Sequence, residues 1–538
     1  MIDIKKNLIK NITTNDWIKY FPHQNIRPVQ ETSINFILNS FLNNKKRYTI
    51  AEIPVGGGKS AIAITISKFF ENEVVDEKNA SWILTTQKIL QKQYQTEFNW
   101  LPTVWSKSNY ECKKHFGVSC TMGLWINNIF KDKYCDCVYT ADKKKFLDSQ
   151  ISLTNVQFFL NHYEYRKQDI SKRKLLIIDE AHNLESIITD FVSITLNKYI
   201  IADYGISWIG TNKTILQVID WIKKILLPKL ISQKVQLEFT IKSYDETQLL
   251  SSPEGRLLVK QFDSLDKYIC QLNRCLQRFN PNEWVMSINK DDDEIILRPL
   301  FASRFSDKQL FETADKVLLM SGTILDRDTY CKNVGIPLKD TAFISLPSPF
   351  KKENRPVFIV KTASMSYKNI DTSLPKLASV IKKIIDDHKD DKGIIHCHSY
   401  KIANFLNNTI KTNRFLMHDS SNRIEVYNFH LNSKTPTILL SPSFTEGIDL
   451  VDELSRFQII TKVPFPYLGD NFIKEKMRRV SGWYEWETAK TIIQASGRSV
   501  RNDEDYCMTY ILDEDFFWFY KQHENIFPRW YKDALIFV

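Results

Sequence analysis

The segment Ile53-Pro54-Val55-Gly56-Gly57-Gly58-Lys59-Ser60 lies between an apolar run, Tyr48 to Ile53, and a helix-length stretch, Ala61 to Phe70. Three successive glycines let backbone N–H groups converge on phosphate oxygens, Lys59 adds a fixed positive charge, and the Ser60 hydroxyl can ligand Mg²⁺. That chemistry needs a strand entering the loop and a helix leaving it, which commits this part of the chain to a parallel-sheet α/β unit. Ile53 stands where a first glycine is usual, so a glycine-rich turn that merely caps a helix is the competing reading.

A second element answers the first. Leu175-Leu176-Ile177-Ile178 reads as a buried strand, and it ends in Asp179-Glu180-Ala181-His182. A carboxylate at a strand tip can hold the Mg²⁺ of a nucleoside triphosphate, and the adjacent Glu180 can position or deprotonate an attacking water.

The 538 residues predict about three to five structural units. A 43% hydrophobic and 25% charged composition with 15 Gly and 18 Pro excludes disordered and collagen-like chains. Met1 to Lys6 lacks an apolar signal core, and the longest greasy stretch, Thr214 to Ile231, is interrupted by Asp220, Lys223, Lys224 and Lys229. The expectation is a chain that is neither secreted nor membrane-bound, cytoplasmic, or nuclear or in a viral factory if the source is a eukaryotic virus. Short apolar runs recur before helix-length segments: Tyr48 to Ile53, Ser81 to Thr85, Leu175 to Ile178, Val317 to Met320, Gly393 to His396, Ile438 to Ser441 and Phe457 to Val463. They predict an α/β fold of two parallel-sheet units, one before about residue 345 and one after it. Residues 103–145, holding four clustered cysteines, and 195–300, expected to be mainly helical, read as insertions into the first unit.

With the phosphate loop, the Asp-Glu-Ala-His box resembles superfamily 2 helicases, and further stretches resemble the XPD/DinG family of iron-sulfur DNA helicases. Phe21, Arg27 and Gln30 resemble the adenine-side motif; Thr85-Thr86-Gln87 through Gln91 resembles motif Ia, and Ser321-Gly322-Thr323 motif III. Ser441 through Asp449, with Glu446-Gly447-Ile448-Asp449, resembles motif V, and Gln494-Ala495-Ser496-Gly497-Arg498-Ser499-Val500-Arg501 motif VI. Ser348-Pro349-Phe350 and Pro464-Phe465-Pro466 are similar to the family's connecting segments. The resemblance implies two RecA-like motor domains, the first interrupted by an iron-sulfur domain and a helical arch. The implied divisions are 1–102, 146–194 and 301–345 for the first motor domain, 103–145 for the iron-sulfur domain, 195–300 for the arch and 346–538 for the second motor domain. ATP and Mg²⁺ are implied on Gly56, Gly57, Gly58, Lys59, Ser60 and Asp179, with Arg27, Gln30, Gly447 and Asp449 also contributing to the nucleotide site. Glu180, Gln494, Arg498 and Arg501 are the implied catalytic set, because an always-charged guanidinium forks onto phosphate oxygens.

Cys112, Cys120, Cys135 and Cys137 lie where the family inserts its [4Fe-4S] domain. Four thiolates suit either such a cluster or tetrahedral Zn²⁺, and the tight Cys135-Asp136-Cys137 pair puts one ligand in question. Residues 104–146 carry eight basic and four acidic side chains, a balance of +4 out of +10 for the chain. Such a lobe can hold a nucleic-acid backbone, although a solvated lysine face would look the same. The expected partners are single-stranded and forked DNA, with repair or replication proteins, and the expected state is a monomer. Family resemblance implies 5′ to 3′ movement; an RNA or DNA:RNA-hybrid helicase and an ATP-gated nucleic-acid scaffold are the alternatives. The aromatic run Phe516-Phe517-Trp518-Phe519-Tyr520 reads as a helix docking onto the last sheet, and Cys270, Cys275, Cys331, Cys397 and Cys507 as buried fillers.

Overall fold

Continuous apolar runs without polar alternation make strands that must be covered on both faces, and that is how they are used. The structure, a computed structural model, describes residues 16–74, 80–115, 117–129, 137–245, 249, 252–289, 291–419, 421–442, 450, 452–496, 500 and 504–538. The first sheet is built from β1 (Tyr48–Glu52), β2 (Ser81–Thr85), β3 (Ile151–Asn155) and β4 (Arg173–Asp179), with two strands from later in the chain. These are β8 (Ala314–Ser321) and β9 (Thr341–Ser345), and the order is β3-β2-β4-β8-β1-β9 with every neighbouring pair parallel.

Successive residues of these strands point to opposite faces and seed two separate cores. Tyr48, Ile50, Trp82, Leu84, Leu176 and Ile178 enter one, while Ala51, Ile83, Ile177, Leu318 and Met320 enter the other. Helix α1 (Pro28–Leu42) and helix α2 (Lys59–Phe69), which continues as a π turn through Val74, cover the second face. Helix α3 (Lys88–Glu97) follows β2 and adds Tyr94 to that core.

Cys112 and Cys120 are brought together by a tight turn in which Cys112 N donates to Val118 O and Cys120 N to Tyr110 O. Helix α4 (Cys120–Ile129) starts at this turn, and α5 (Val138–Asp148) leads back to β3. Beyond α6 (Leu184–Val192), the 195–300 region is mainly helical, as expected, with strands at its ends. It contains the long helices α7 (Leu227–Lys242) and α8 (Pro253–Arg278), but its ends form an antiparallel sheet of β5 (Ile194–Asn197), β7 (Glu294–Pro299) and β6 (Trp284–Asn289), in that order. Burial alternates strictly along β7, with Ile295, Leu297 and Pro299 inward. A period of two over six residues is easily masked by a Leu-, Ile- and Lys-rich helical neighbourhood.

The second sheet is also wholly parallel, with order β12-β13-β11-β14-β15-β10-β16. Its strands are β10 (Val357–Ala363), β11 (Gly393–His396), β12 (Phe415–Met417), β13 (Ile438–Ser441), β14 (Phe457–Ile460), β15 (Met508–Asp513) and β16 (Leu535–Phe537). Helices α9 (Asn471–Arg479) and α10 (Trp483–Ser496) stand between the two sheets, and α11 (Asp515–His523) docks Phe516 and Phe519 on the second while Trp518 stays exposed. Cys275, Cys331, Cys397 and Cys507 are buried as expected, and Cys270 is half-buried. Among the described residues no helix is long and apolar enough to cross a membrane.

Candidate active site

In a parallel sheet, ligands gather at the carboxyl ends of the strands. The strand order places the tips of β4, β8 and β1 side by side, with Glu52 opposite Ser321 and Asp179 opposite Met320. The loop after β1 turns through Gly56 at φ 77° and Gly58 at φ 74°, left-handed conformations in which a side chain is strained. Space is short as well. A Cβ on Gly56 would fall 2.2 Å from the Phe350 ring, and one on Gly58 would fall 2.1 Å from Gln30 Nε2. Ile53, the departure from the strict loop pattern, is fully buried, and a Cβ on Gly57 would meet its side chain at 2.4 Å. Thus the bulk taken at Ile53 is offset by glycine at 57. Arg27 Nη1 donates to Gly56 O at 2.5 Å, and Gln30 Oε1 caps α1 by accepting from Arg27 N at 2.9 Å. Of the expected adenine-side residues, Arg27 thus holds the phosphate loop at Gly56, and Gln30 holds Arg27 and lies against Gly58.

Lys59 Nζ lies 3.0 Å from Glu180 Oε1, and Glu180 Oε2 lies 3.2 Å from His182 Nδ1. Burial alone would raise the Glu180 carboxyl, but Lys59 and His182 hold it well below the usual carboxylate range. Asp179 is pushed up to about 6, first by burial and then by the Glu180 charge. Two adjacent carboxyls with opposed tendencies create a strong demand for a cation between the loop and β4. Glu180 also sits at φ 53°, a left-handed conformation uncommon for a non-glycine residue. The donors are hard oxygens, the Ser60 hydroxyl and the Asp179 carboxylate, and the loop leaves the remaining positions to phosphates and water. That set fits Mg²⁺, which is usually held by one or two protein oxygens rather than by a protein cage.

The turn after β8 collects contacts from every side. His182 Nδ1 lies 2.7 Å from Ser321 Oγ, and Gln494 Nε2 donates to Thr323 Oγ1 at 3.0 Å. Trp486 Nε1 donates to Ile324 O at 2.8 Å, so α10 grips this turn at two points. Glu52, which the sequence reading passes over, is buried beneath it. Its Oε1 accepts from Ile324 N at 2.8 Å and Leu325 N at 2.7 Å, and its Oε2 accepts from Ser345 Oγ at 2.5 Å. An acid closing a strand immediately before the phosphate loop was the available signal.

Comparison with known proteins follows the same division. A family profile described as a helicase C-terminal domain matches residues 381–534, and one described as the res subunit of type III restriction enzymes matches 23–211. The ATP-dependent DNA helicase DinG of Photobacterium profundum is 26% identical over 257 residues, covering 42% of this chain and 35% of DinG. The ATP-dependent DNA helicase XPD of Sulfolobus acidocaldarius is 22% identical over 418 residues, covering 72% of this chain and 73% of XPD. A solved XPD helicase structure superposes with a TM-score of 0.63 at 15% identity, over 96% of this chain and all of that one. The chain is similar to XPD/DinG-like superfamily 2 helicases. The chain spans about a third of the length of the DinG relative and about three quarters of the XPD relative.

Not every expected site residue can be placed. Gly447, Asp449, Arg498, Arg501 and Cys135 lie outside the described residues, whereas Gln494 reaches the first motor half as described. Cys112, Cys120 and Cys137 are buried and in no disulfide; Cys120 Sγ and Cys137 Sγ are 3.9 Å apart. That is too far for a disulfide and within reach of two thiolates sharing a metal centre. Gly123, one turn along α4 from Cys120, leaves room for the third thiol, since a Cβ there would lie 2.4 Å from Cys112 Sγ. Among the described residues no three His, Cys, Asp or Glu side chains close around a metal position. In the cysteine lobe Tyr110 packs edge-on against Tyr139, and Trp125 packs against Phe262 of α8.

Proposed function

We propose that this chain is an ATP-dependent DNA helicase that moves along single-stranded DNA 5′ to 3′ and separates duplex DNA. The observation that carries the reading is the convergence of Lys59, Ser60, Asp179 and Glu180 at one strand edge, bridged to the second motor half through Gln494 and Thr323. The printed names of DinG and XPD, both ATP-dependent DNA helicases, support DNA as the substrate.

In this reading Lys59 leaves Glu180 for the β- and γ-phosphate oxygens as ATP enters, and the freed Glu180 carboxylate takes the proton of the attacking water. Ser60 and Asp179 hold Mg²⁺, which when bound neutralises the charge developing on the transferring phosphoryl group. His182 shares its ring nitrogen environment with Glu180 and Ser321, so a change at Glu180 reaches the Thr323 turn and, through Gln494 and Trp486, α10. Arg498 or Arg501 is assigned the arginine-finger role by the motif they share. Cys112, Cys120, Cys137 and Cys135 would hold a [4Fe-4S] cluster, which would staple the basic lobe at the strand's path.

Strand displacement on 5′-tailed and 3′-tailed duplexes tests the assignment. The expected result is ATP-dependent unwinding of the 5′-tailed substrate, lost in Glu180→Gln through a fall of about 10² to 10⁴ in ATP turnover. Unwinding from 3′ tails alone would overturn the polarity, and turnover intact in Glu180→Gln would overturn the catalytic assignment.

A further inference from the structure

Two side chains on α3 reach the expected magnesium ligands. Tyr94 OH donates to Asp179 Oδ2 at 2.9 Å, and Ser60 Oγ donates to Glu97 Oε2 at 3.0 Å. Residues three apart share one helix face, so a single turn of α3 addresses both protein ligands. The same carboxylate is fastened at its other oxygen, where His23 Nε2 lies 3.1 Å from Glu97 Oε1. Neither Tyr94 nor Glu97 belongs to the phosphate loop or the acidic box.

We propose that Tyr94 and Glu97 are positioning residues that orient Asp179 and Ser60 toward the divalent cation. This deepens the ATP-site reading above and rests on it. A serine hydroxyl has one proton and two lone pairs, and it can coordinate a cation only through a lone pair. By accepting that proton, Glu97 turns a lone pair of Ser60 away from α3 and toward the loop, and its charge adds to the cation's attraction. Tyr94 does the matching task for Asp179. With Tyr94 OH on Oδ2 and Glu180 N on Oδ1 at 2.9 Å, the carboxylate plane is fixed while each oxygen keeps a lone pair to offer. Tyr94 is buried, and its phenol stays protonated, raised well above its ordinary value by burial and by the Asp179 charge. α3 is also the helix that follows Thr85-Thr86-Gln87, and Thr86 Oγ1 donates to Glu180 O at 3.3 Å. The motif Ia segment is thus continuous with the one that sets the cation's ligands.

The test is Mn²⁺ binding to the full chain in the presence of a non-hydrolysable ATP analogue, followed by electron paramagnetic resonance. Alongside it, affinity for the analogue is measured in EDTA. Loss of a partner behind a metal ligand typically costs about 10- to 100-fold in metal affinity. Glu97→Ala and Tyr94→Phe are each expected to raise half-saturating Mn²⁺ by about that factor with metal-free nucleotide affinity unchanged. Glu97→Gln, which keeps an acceptor oxygen and loses the charge, should fall between wild type and Glu97→Ala. Superimposable Mn²⁺ curves for wild type, Glu97→Ala and Tyr94→Phe would overturn the positioning role alone. A wild-type chain that bound neither nucleotide nor Mn²⁺ would overturn the ATP-site reading and this one with it.

Discussion

Asp513 shows how much a single buried carboxyl can be asked to hold. Its Oδ1 accepts from Met365 N at 3.0 Å and Asp515 N at 3.1 Å, and its Oδ2 from Val463 N at 2.9 Å, which ties β15 to two loops. Burial pushes it up to about 6 from an ordinary 3.8, against the pull of those backbone donors. The folded state therefore prefers the protonated form more than the unfolded state does. The resulting stability is complete below about pH 3.8 and is lost as pH rises through about 6. The stability gap between wild type and Asp513→Ala should shrink by about 2 kcal/mol between pH 4 and pH 7. Urea denaturation at several pH values checks it, and a gap that is flat with pH would refute it. The same scale shows what a sequence can and cannot display. Lys59, Ser60, Asp179 and Glu180 are legible because their chemistry needs a local pattern of glycines, strand and acid. Glu97 and Tyr94 act on partners 37 and 85 positions away, and nothing adjacent to them signals it; Glu52 acts 272 positions away, and its place at the end of β1 is the one local hint.

At the scale of elements, the motor strands are legible because buried parallel strands leave unbroken apolar runs. The short edge strands β12 and β16, of three residues each, leave apolar runs too brief to read as strands. The β6–β7 pair escapes for a different reason. Its alternating residues lie in a stretch whose composition belongs to α7 and α8. The cysteine lobe is legible as a cluster, and its metal is not. Anaerobically purified protein should be brown, with visible absorption and about four irons per chain if the four thiolates hold a [4Fe-4S] centre. Cys112→Ser should lose the colour, whereas a colourless, zinc-loaded wild type would refute the iron assignment. On α9, Lys476 is fully buried and pairs with Glu185 of α6 while donating to Leu300 O at 2.5 Å. Lys476→Met leaves Glu185 as an uncompensated buried charge and should cost about 3 to 5 kcal/mol in chemical denaturation. Adding Glu185→Leu to that variant should recover most of the loss, and failure to recover it would show that Lys476 acts through packing alone.

Across the whole molecule, the nucleotide edge is shared. The first sheet supplies the phosphate loop, the acidic box and the turn after β8, and α10 meets that turn through Trp486 and Gln494. A second set of contacts involves the small antiparallel sheet. Arg298 of β7 pairs with Asp470 at 2.5 Å, Ser287 of β6 donates to the same carboxylate at 2.5 Å, and Arg479 Nη1 donates to Asn282 O at 2.5 Å. The small antiparallel sheet is therefore joined to the second motor half as well as to the first. Lys476 has a thermal consequence. A cation sealed between the halves cannot be exposed by one half melting while the other stays folded without paying the full cost of separating it from Glu185. Scanning calorimetry of the chain without nucleotide should show one cooperative endotherm covering both halves, and Lys476→Met should split it into two.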